Sequence, residues 1–436
     1  MDGKRFCRGG PVRGRRAMIR LDGFVIKGGR RLKGTVRVSG SKNAALPCLF
    51  AALLTDEEVV LDNVPDLQDI RTAVKLLEKL GKAVVWTGDR VEIRKRGALR
   101  AQAPYDLVRR MRASVVVMGP LLARLGRADV SLPGGCAIGA RPVNFHLKAF
   151  EALGAEVTVK EGYISARGRL TGRRVRLPFP SVGATENVLM AAALARGRTV
   201  IENAAREPEI GDLAAMWTAM GARIEGVDTD RLTVTGVERL GGCRHRVIPD
   251  RIEAGTFLVA AALTKGRVTL TRVAPSHLDA VIKALQRAGL RIETAGDRLT
   301  AQWVKPLKPV SIRTRVYPGF PTDMQAQWMA LMTLTRGRSV IEEDIFENRF
   351  LHAQELTRMS ARIDIRGHRA VVEGVPALSG CPLMVSDLRA GAALVLAGLA
   401  ARGTTKILRV YHLDRGYERL EKKLRALGAN VRRVPQ

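Results

Sequence analysis

The sequence predicts an α/β protein of two domains, each built from three βα repeats, with helices inside and sheets outside. Three observations carry this expectation. An apolar run, a glycine turn and a β-rich run recur in ENVLMAAALARGRTVIEN from Glu186, AGTFLVAAALTKGRVTLTRV from Ala254, MQAQWMALMTLTRGRSVIEED from Met324 and AGAALVLAGLAARGTTKILRV from Ala390. Each unit continues into an amphipathic segment that ends on a glycine-type stop, at Gly81, Gly154, Gly221, Gly289, Ser360 and Gly428. Runs such as AALVLAGLAA are apolar nearly all round, which marks helices buried among other elements.

In chain order, residues 1–17, MDGKRFCRGGPVRGRRA, read as a flexible basic tail or as sequence upstream of a start at Met18. The two less regular units follow, with AALPCLFAALL near Ala45 and ASVVVMGPLLARLG near Ala113 as their buried helices. The four regular units complete the chain. This order divides it into residues 42–246 and residues 18–41 plus 247–436, so that the chain crosses between domains twice.

Composition narrows the function. A chain of 436 residues with 46% hydrophobic and 26% charged residues has a soluble, globular balance. The longest apolar run, Ala390–Ala401, falls short of the ~20 residues of a membrane helix, and no apolar core follows the N-terminal charges, so a cytoplasmic protein without membrane insertion is expected. Five scattered cysteines without C-x-x-C spacing suggest neither a disulfide framework nor a zinc site. No metal and no organic cofactor is expected. The net charge of +31 would draw nucleic acid, anionic lipid or a phosphorylated small molecule. The arginines are spread over the whole chain, however, and aromatics are only 4%, so nucleic acid is not the expected partner.

The repeats bring polar residues to one structural position, the mouth of the buried helix: Lys42 and Asn43, Arg112, Glu186, Glu253, Asp323, and Asp387 with Arg389. Glu186 and Glu253 read as helix caps. Lysine and arginine there oppose the helix dipole, which makes sense where an anion sits between cation and helix end. A thiol, Cys136, stands in the glycine-rich stretch SLPGGCAIGARP, where a cysteine packs against little and is open to chemistry.

Nine motifs in order resemble the UDP-N-acetylglucosamine 1-carboxyvinyltransferase family of enolpyruvyl transferases: SGSKNAALP, RMRAS, LPGGCAIGARPV, PSVGATEN, NAAREPEI, FPTDMQAQ, IFENRF, SDLRA and YHLDRGYERLEKKLRALGAN. The resemblance implies an inside-out α/β barrel pair. It also implies transfer of enolpyruvyl from phosphoenolpyruvate to the 3′-hydroxyl of UDP-N-acetylglucosamine through a tetrahedral ketal, with release of phosphate, at the start of peptidoglycan synthesis. By resemblance Cys136 is the acid, or a nucleophile holding a phospholactoyl adduct; a thiol with an ordinary pKa of ~8.5 can serve either way. Asp323 is the base, or the group that orients the hydroxyl, and Lys42 and Arg415 join the catalytic set. Phosphoenolpyruvate contacts fall to Lys42, Asn43, Arg112, Arg141, Arg349, Asp387, Arg389 and Arg415. Contacts with the nucleotide sugar fall to Asn43, Arg112, Arg141, Ser181, Val182, Gly183, Asp323 and Ile345. Phe179 and Pro180 depart from the family pattern, where other members carry a lysine for the diphosphate. Shikimate-phosphate enolpyruvyl transfer, and a non-catalytic relative binding a nucleotide sugar or RNA, are the competing readings.

Overall fold

A computed structural model of the chain describes residues 22–132 and 143–435. Cys136 and Arg141, together with the N-terminal extension, lie outside the described residues.

Six four-stranded sheets are present among them, all with one topology. In one, Arg174–Arg176 runs parallel to Arg198–Glu202, which pairs antiparallel with Arg231–Thr235, which pairs antiparallel with Arg223–Glu225. Three sheets are completed by chain far away in sequence. Cys243–Arg246 runs parallel to Val59–Asp62, Lys33–Arg37 runs parallel to Arg267–Thr271, and Asp22–Lys27 lies between Thr404–Leu408 and Asn430–Pro435. The sheets stay separate and close no barrel of hydrogen-bonded strands. The repeat read from the sequence is thus a physical repeat.

Val/Ile alternation makes each central strand bury one face, as in Arg198–Glu202 and Arg267–Thr271. That face covers a helix with no polar side of its own. In Leu388–Ala400 every residue from Arg389 to Leu399 is buried, and in Arg251–Leu263 every residue from Ile252 onward. The partner helices are amphipathic and end where expected. All six predicted stops adopt left-handed φ, from 75° at Ser360 to 112° at Gly81. Only glycine takes that conformation without steric cost, which explains why five of the six are glycine.

The buried apolar residues form two clusters. One runs from Ala44 to Val247; the other joins Phe24–Val38 to Ile252–Val431. Each contains three largely buried helices: Lys42–Ala51, Met118–Leu125 and Val182–Ala192 in the first, and Arg251–Leu263, Gln325–Met332 and Leu388–Ala400 in the second. Close helix contact is built in by small residues. A Cβ on Gly119 would stand 2.3 Å from the Asn187 carbonyl oxygen, so the Met118–Leu125 helix meets Val182–Ala192 backbone to backbone. Among the described residues no helix is long and apolar enough to cross a membrane.

The two glutamates expected as caps are not caps. Ser181 and Asp250 take those places, accepting from Ala184 N and from Ile252 N and Glu253 N. Glu186 lies a full turn inside its helix. Glu253 instead accepts from Lys423 Nζ at 2.6 Å and from Ser39 N at 2.7 Å.

Candidate active site

The two cores meet through charged side chains. Asp69, in the first turn of the Gln68–Leu80 helix, is buried and accepts from Arg415 Nε at 2.9 Å and Nη2 at 3.4 Å, across 346 residues of chain. Lys42 Nζ lies 3.6 Å from the same carboxylate. Asp323 occupies the single turn Thr322–Met324 that leads into the Gln325–Met332 helix. Its Oδ1 accepts from Arg349 Nη2 at 2.8 Å, and its Oδ2 from Arg389 Nε at 3.0 Å and Nη2 at 2.8 Å. Both guanidiniums are buried, whereas the Asp323 side chain remains 27% exposed, so the carboxylate faces open space with its cations behind it.

These two clusters act as one electrostatic unit. Lys42 is influenced by Asp69, Arg389, Arg415 and Asp323 together, and burial sets its pKa below the ordinary lysine value, against the pull of Asp69. Four cations therefore face two carboxylates, and the surplus is positive. Burial would raise the pKa of Asp323, but Arg389 and Arg349 outweigh it and hold the carboxyl far below the usual carboxylate range. Arg389 is pinned by the ring of Tyr417, 5.4 Å beneath its guanidinium, and its Nη1 finds no hydrogen-bond partner among the described residues. An unpaired buried N–H of a charged group is costly unless a ligand satisfies it.

Asp387 plays a different part from a cation partner. Its Oδ1 accepts from Arg389 N at 2.9 Å and Ala390 N at 3.1 Å, so it caps the Leu388–Ala400 helix and holds the backbone that carries Arg389. Sequence reasoning missed Glu343, a buried carboxylate that ties Ile345 to the Asp323 turn. It accepts from Ile345 N at 2.9 Å and Phe346 N at 3.1 Å with one oxygen, and from Thr322 Oγ1 at 2.9 Å with the other. Asp69 was missed as well. Its only local signal, an acid in the first turn of a helix, is shared with ordinary capping.

Ser181, Val182 and Gly183 open the Val182–Ala192 helix under the Ser181 cap. His146 lies against this turn, since a Cβ on Gly183 would be 3.5 Å from its Cε1. Asn187 fixes the ring: its Nδ2 sits 2.9 Å from His146 Nδ1 and 3.0 Å from the Val115 carbonyl, while its Oδ1 accepts from Gly119 N. This arrangement makes Nδ1 the acceptor and leaves the proton on Nε2. Arg112 opens the turn Arg112–Val117, and its field reaches His146. Asn43 follows Lys42 in the first turn of Lys42–Ala51, half-buried. Phe179, where the family pattern has a lysine, is exposed.

Burial, reinforced by Arg112, pushes the pKa of His146 down to about 4, and burial with Arg349 nearby does the same to His352, against the pull of Asp387. Both folded values lie below the unfolded value of ~6.5. Their stabilising contribution is therefore complete above that value and is lost as pH falls toward about 4. Together they should lower the unfolding free energy by roughly 3 kcal/mol between about pH 7 and about pH 5, and His146→Gln should remove about half of that dependence in denaturant titrations.

Comparison with known proteins places the chain in a family. The family profile described as EPSP synthase (3-phosphoshikimate 1-carboxyvinyltransferase) matches residues 26–424. A UDP-N-acetylglucosamine 1-carboxyvinyltransferase of Endomicrobium trichonymphae is 56% identical over 94% of this chain and 99% of its own. One of Geotalea daltonii is 53% identical over 95% and 100%. Among solved structures, the enolpyruvyl transferase NikO of Streptomyces tendae superposes with a TM-score of 0.87 at 27% identity, covering 96% of this chain and all of that one. An EPSP synthase of Acinetobacter baumannii, at 17% identity and a TM-score of 0.73 over 95% of this chain and all of its own, shares the fold. The chain belongs to the enolpyruvyl transferase family, as a relative of the UDP-N-acetylglucosamine 1-carboxyvinyltransferases.

Proposed function

We propose that the protein transfers the enolpyruvyl group of phosphoenolpyruvate to the 3′-hydroxyl of UDP-N-acetylglucosamine, releasing phosphate, as the first committed step of peptidoglycan synthesis. One observation supports the chemistry most directly: a partly open carboxylate, Asp323, is paired with two buried guanidiniums, Arg349 and Arg389, within the field of Lys42. Phosphoenolpyruvate carries a phosphate and a carboxylate on three carbons, and forked guanidiniums match both groups.

The steps balance as follows. The sugar 3′-oxygen bonds to C2 of phosphoenolpyruvate while its proton passes to Asp323, and C3 takes a proton from the Cys136 thiol, giving the tetrahedral ketal. The Cys136 thiolate then takes back a C3 proton, the double bond is restored, and phosphate leaves C2 with the proton held by Asp323, which returns both groups to their starting states. Arriving anions engage Arg349 and Arg389, which weakens their hold on Asp323 and raises its pKa toward that of a working base. Lys42, Arg112, Arg141 and Arg415 hold the phosphate and carboxylate, and Asp387 sets the backbone of Arg389. Ser181, Val182 and Gly183 take the diphosphate with their N–H groups, and Asn43, Asp323 and Ile345 hold the amino sugar. Phe179 offers no cation there, so the diphosphate depends on Arg112 and Arg141.

The two apolar cores support domains at 42–246 and at 18–41 plus 247–436, which close on the nucleotide sugar before phosphoenolpyruvate enters. A catalytic thiol needs a reducing compartment, and we place the enzyme in the cytoplasm. The identity of the curated relatives favours the nucleotide sugar over shikimate phosphate as acceptor. The test measures phosphate release from phosphoenolpyruvate with and without UDP-N-acetylglucosamine. Release should depend on the sugar and disappear with Cys136→Ala or with fosfomycin, the epoxide captured by the family's cysteine. Release that ignores the sugar, or that survives loss of the thiol, would overturn the reading.

A further inference from the structure

Away from the site just described, three side chains from three elements converge inside the 44–247 core. Cys48 comes from the Lys42–Ala51 helix, Asp212 from the Pro208–Ala219 helix and His245 from the Cys243–Arg246 strand. Cys48 Sγ lies 3.8 Å from Asp212 Oδ2, and His245 Nε2 lies 2.9 Å from Asp212 Oδ1. All three donor atoms fall within 4.8 Å of one another. Cys48 is wholly buried, Asp212 nearly so, and His245 reaches the cluster from the partly exposed edge of its sheet.

Hydrogen bonding alone explains the thiol poorly. A thiol is a weak donor, yet Cys48 is what the structure sets against the buried Oδ2 of Asp212 while His245 takes Oδ1. As metal ligands the three make better sense. Zinc takes sulfur at about 2.3 Å, imidazole nitrogen at about 2.0–2.1 Å and carboxylate oxygen at about 2.0–2.2 Å in a tetrahedron, which sets neighbouring donors roughly 3.3–3.6 Å apart. The contacts of 3.8 Å to Oδ2 and 2.9 Å to Oδ1 use different oxygens of Asp212, so the carboxylate turns to present one oxygen to the metal. Small side-chain adjustments would suffice. A thiolate, an imidazole and a carboxylate together select a borderline-soft cation over magnesium or calcium, which prefer oxygen alone.

We propose that Cys48, Asp212 and His245 bind one divalent cation of the zinc type, holding two helices of the 44–247 core to the strand on which the chain leaves it. On binding, Cys48 Sγ bonds the metal and its proton passes to solvent. The placement gives the metal something to hold. Cys48 lies on the helix that begins with Lys42, Asp212 shares a helix with Glu209, which accepts from Arg251 Nε of the other core at 3.1 Å, and His245 precedes by two residues the end of this core at Val247. Cysteine spacing gives no signal for such a site, because these three residues stand 164 and 33 residues apart.

The test uses the full-length chain, chelator-treated and carrying Cys136→Ser so that the reactive thiol is silent, with cobalt(II) chloride as probe. One equivalent should bind with a thiolate-to-cobalt charge-transfer band and a tetrahedral visible spectrum, and zinc chloride should displace it. Cys48→Ala and His245→Gln should each weaken binding at least about 100-fold and abolish the tetrahedral spectrum. Zinc should also raise the Tm of the parent by about 2–4 °C and leave that of His245→Gln unmoved. His245→Gln keeps the core intact and carries the test alone should Cys48→Ala fail to fold. Absence of the charge-transfer band in the parent, or an unchanged spectrum and affinity in the variants, would overturn the proposal.

Discussion

Asp323→Asn lowers kcat by about 10²–10⁴-fold, the range associated with losing a positioned general base. Asparagine has nearly the same shape, but only one of its two terminal atoms accepts. In the native protein Oδ1 takes Arg349 and Oδ2 takes Arg389. With asparagine, one guanidinium meets an N–H₂ group, donor against donor, and the 3′-hydroxyl loses the atom that would receive its proton. Phosphoenolpyruvate can still satisfy the released cation, so KM for that substrate should rise little or fall. The pH profile separates this from a purely structural effect. The guanidiniums hold the free carboxyl far below the usual carboxylate range. Since kcat/KM reports the free enzyme, it should show no acid limb from Asp323 down to about pH 5. Steady-state phosphate release across that range is the measurement. Activity within tenfold of the parent would remove Asp323 from the base role.

The fold was legible in the sequence because its signals are local and repeated. A helix apolar all round, as at Arg389–Leu399, a glycine turn and an alternating strand each bury themselves in only one way, and six occurrences leave little ambiguity. The positive φ at each predicted stop, Ser360 included, follows from helix termination alone. Cap positions were harder. Choosing between Ser181 and Glu186, or Asp250 and Glu253, requires knowing where a helix starts to within a residue or two, which apolar periodicity does not define. The site divides in the same way. Lys42, Asp323, Arg349, Arg389 and Arg415 stood out because their motifs are distinctive, and the structure brings them into one cluster. Asp69 and Glu343 act through partners that the tertiary fold supplies, Arg415 at 346 residues' distance in one case and the Thr322 hydroxyl at 21 in the other. Sequence carries no signal for such pairings.

Arg389→Met separates substrate recognition from base chemistry and should lower kcat/KM for phosphoenolpyruvate by about 10²–10³-fold. Arg389 is almost fully buried and spends Nε and Nη2 on one oxygen of Asp323, while Nη1 finds no partner among the described residues. That remaining donor is where an arriving anion first engages Arg389, before the hold on the carboxylate weakens. Methionine fills much of the same volume over Tyr417 and removes every donor, so the fold should survive with Asp323 still paired to Arg349. Losing Arg389, the largest attractive influence on Asp323, lets burial raise its pKa, and an acid limb absent from the parent should then appear in kcat/KM. Lysine should not restore function. Its single ammonium cannot contact Oδ2 and an incoming anion with fixed, diverging donors, and it is shorter in reach and more strongly hydrated, so burying it costs more desolvation. An Arg389→Lys enzyme within about fivefold of the parent would show that charge alone suffices. A methionine variant whose acid limb stays absent would show that Arg349 and Lys42 hold Asp323 ionised without it.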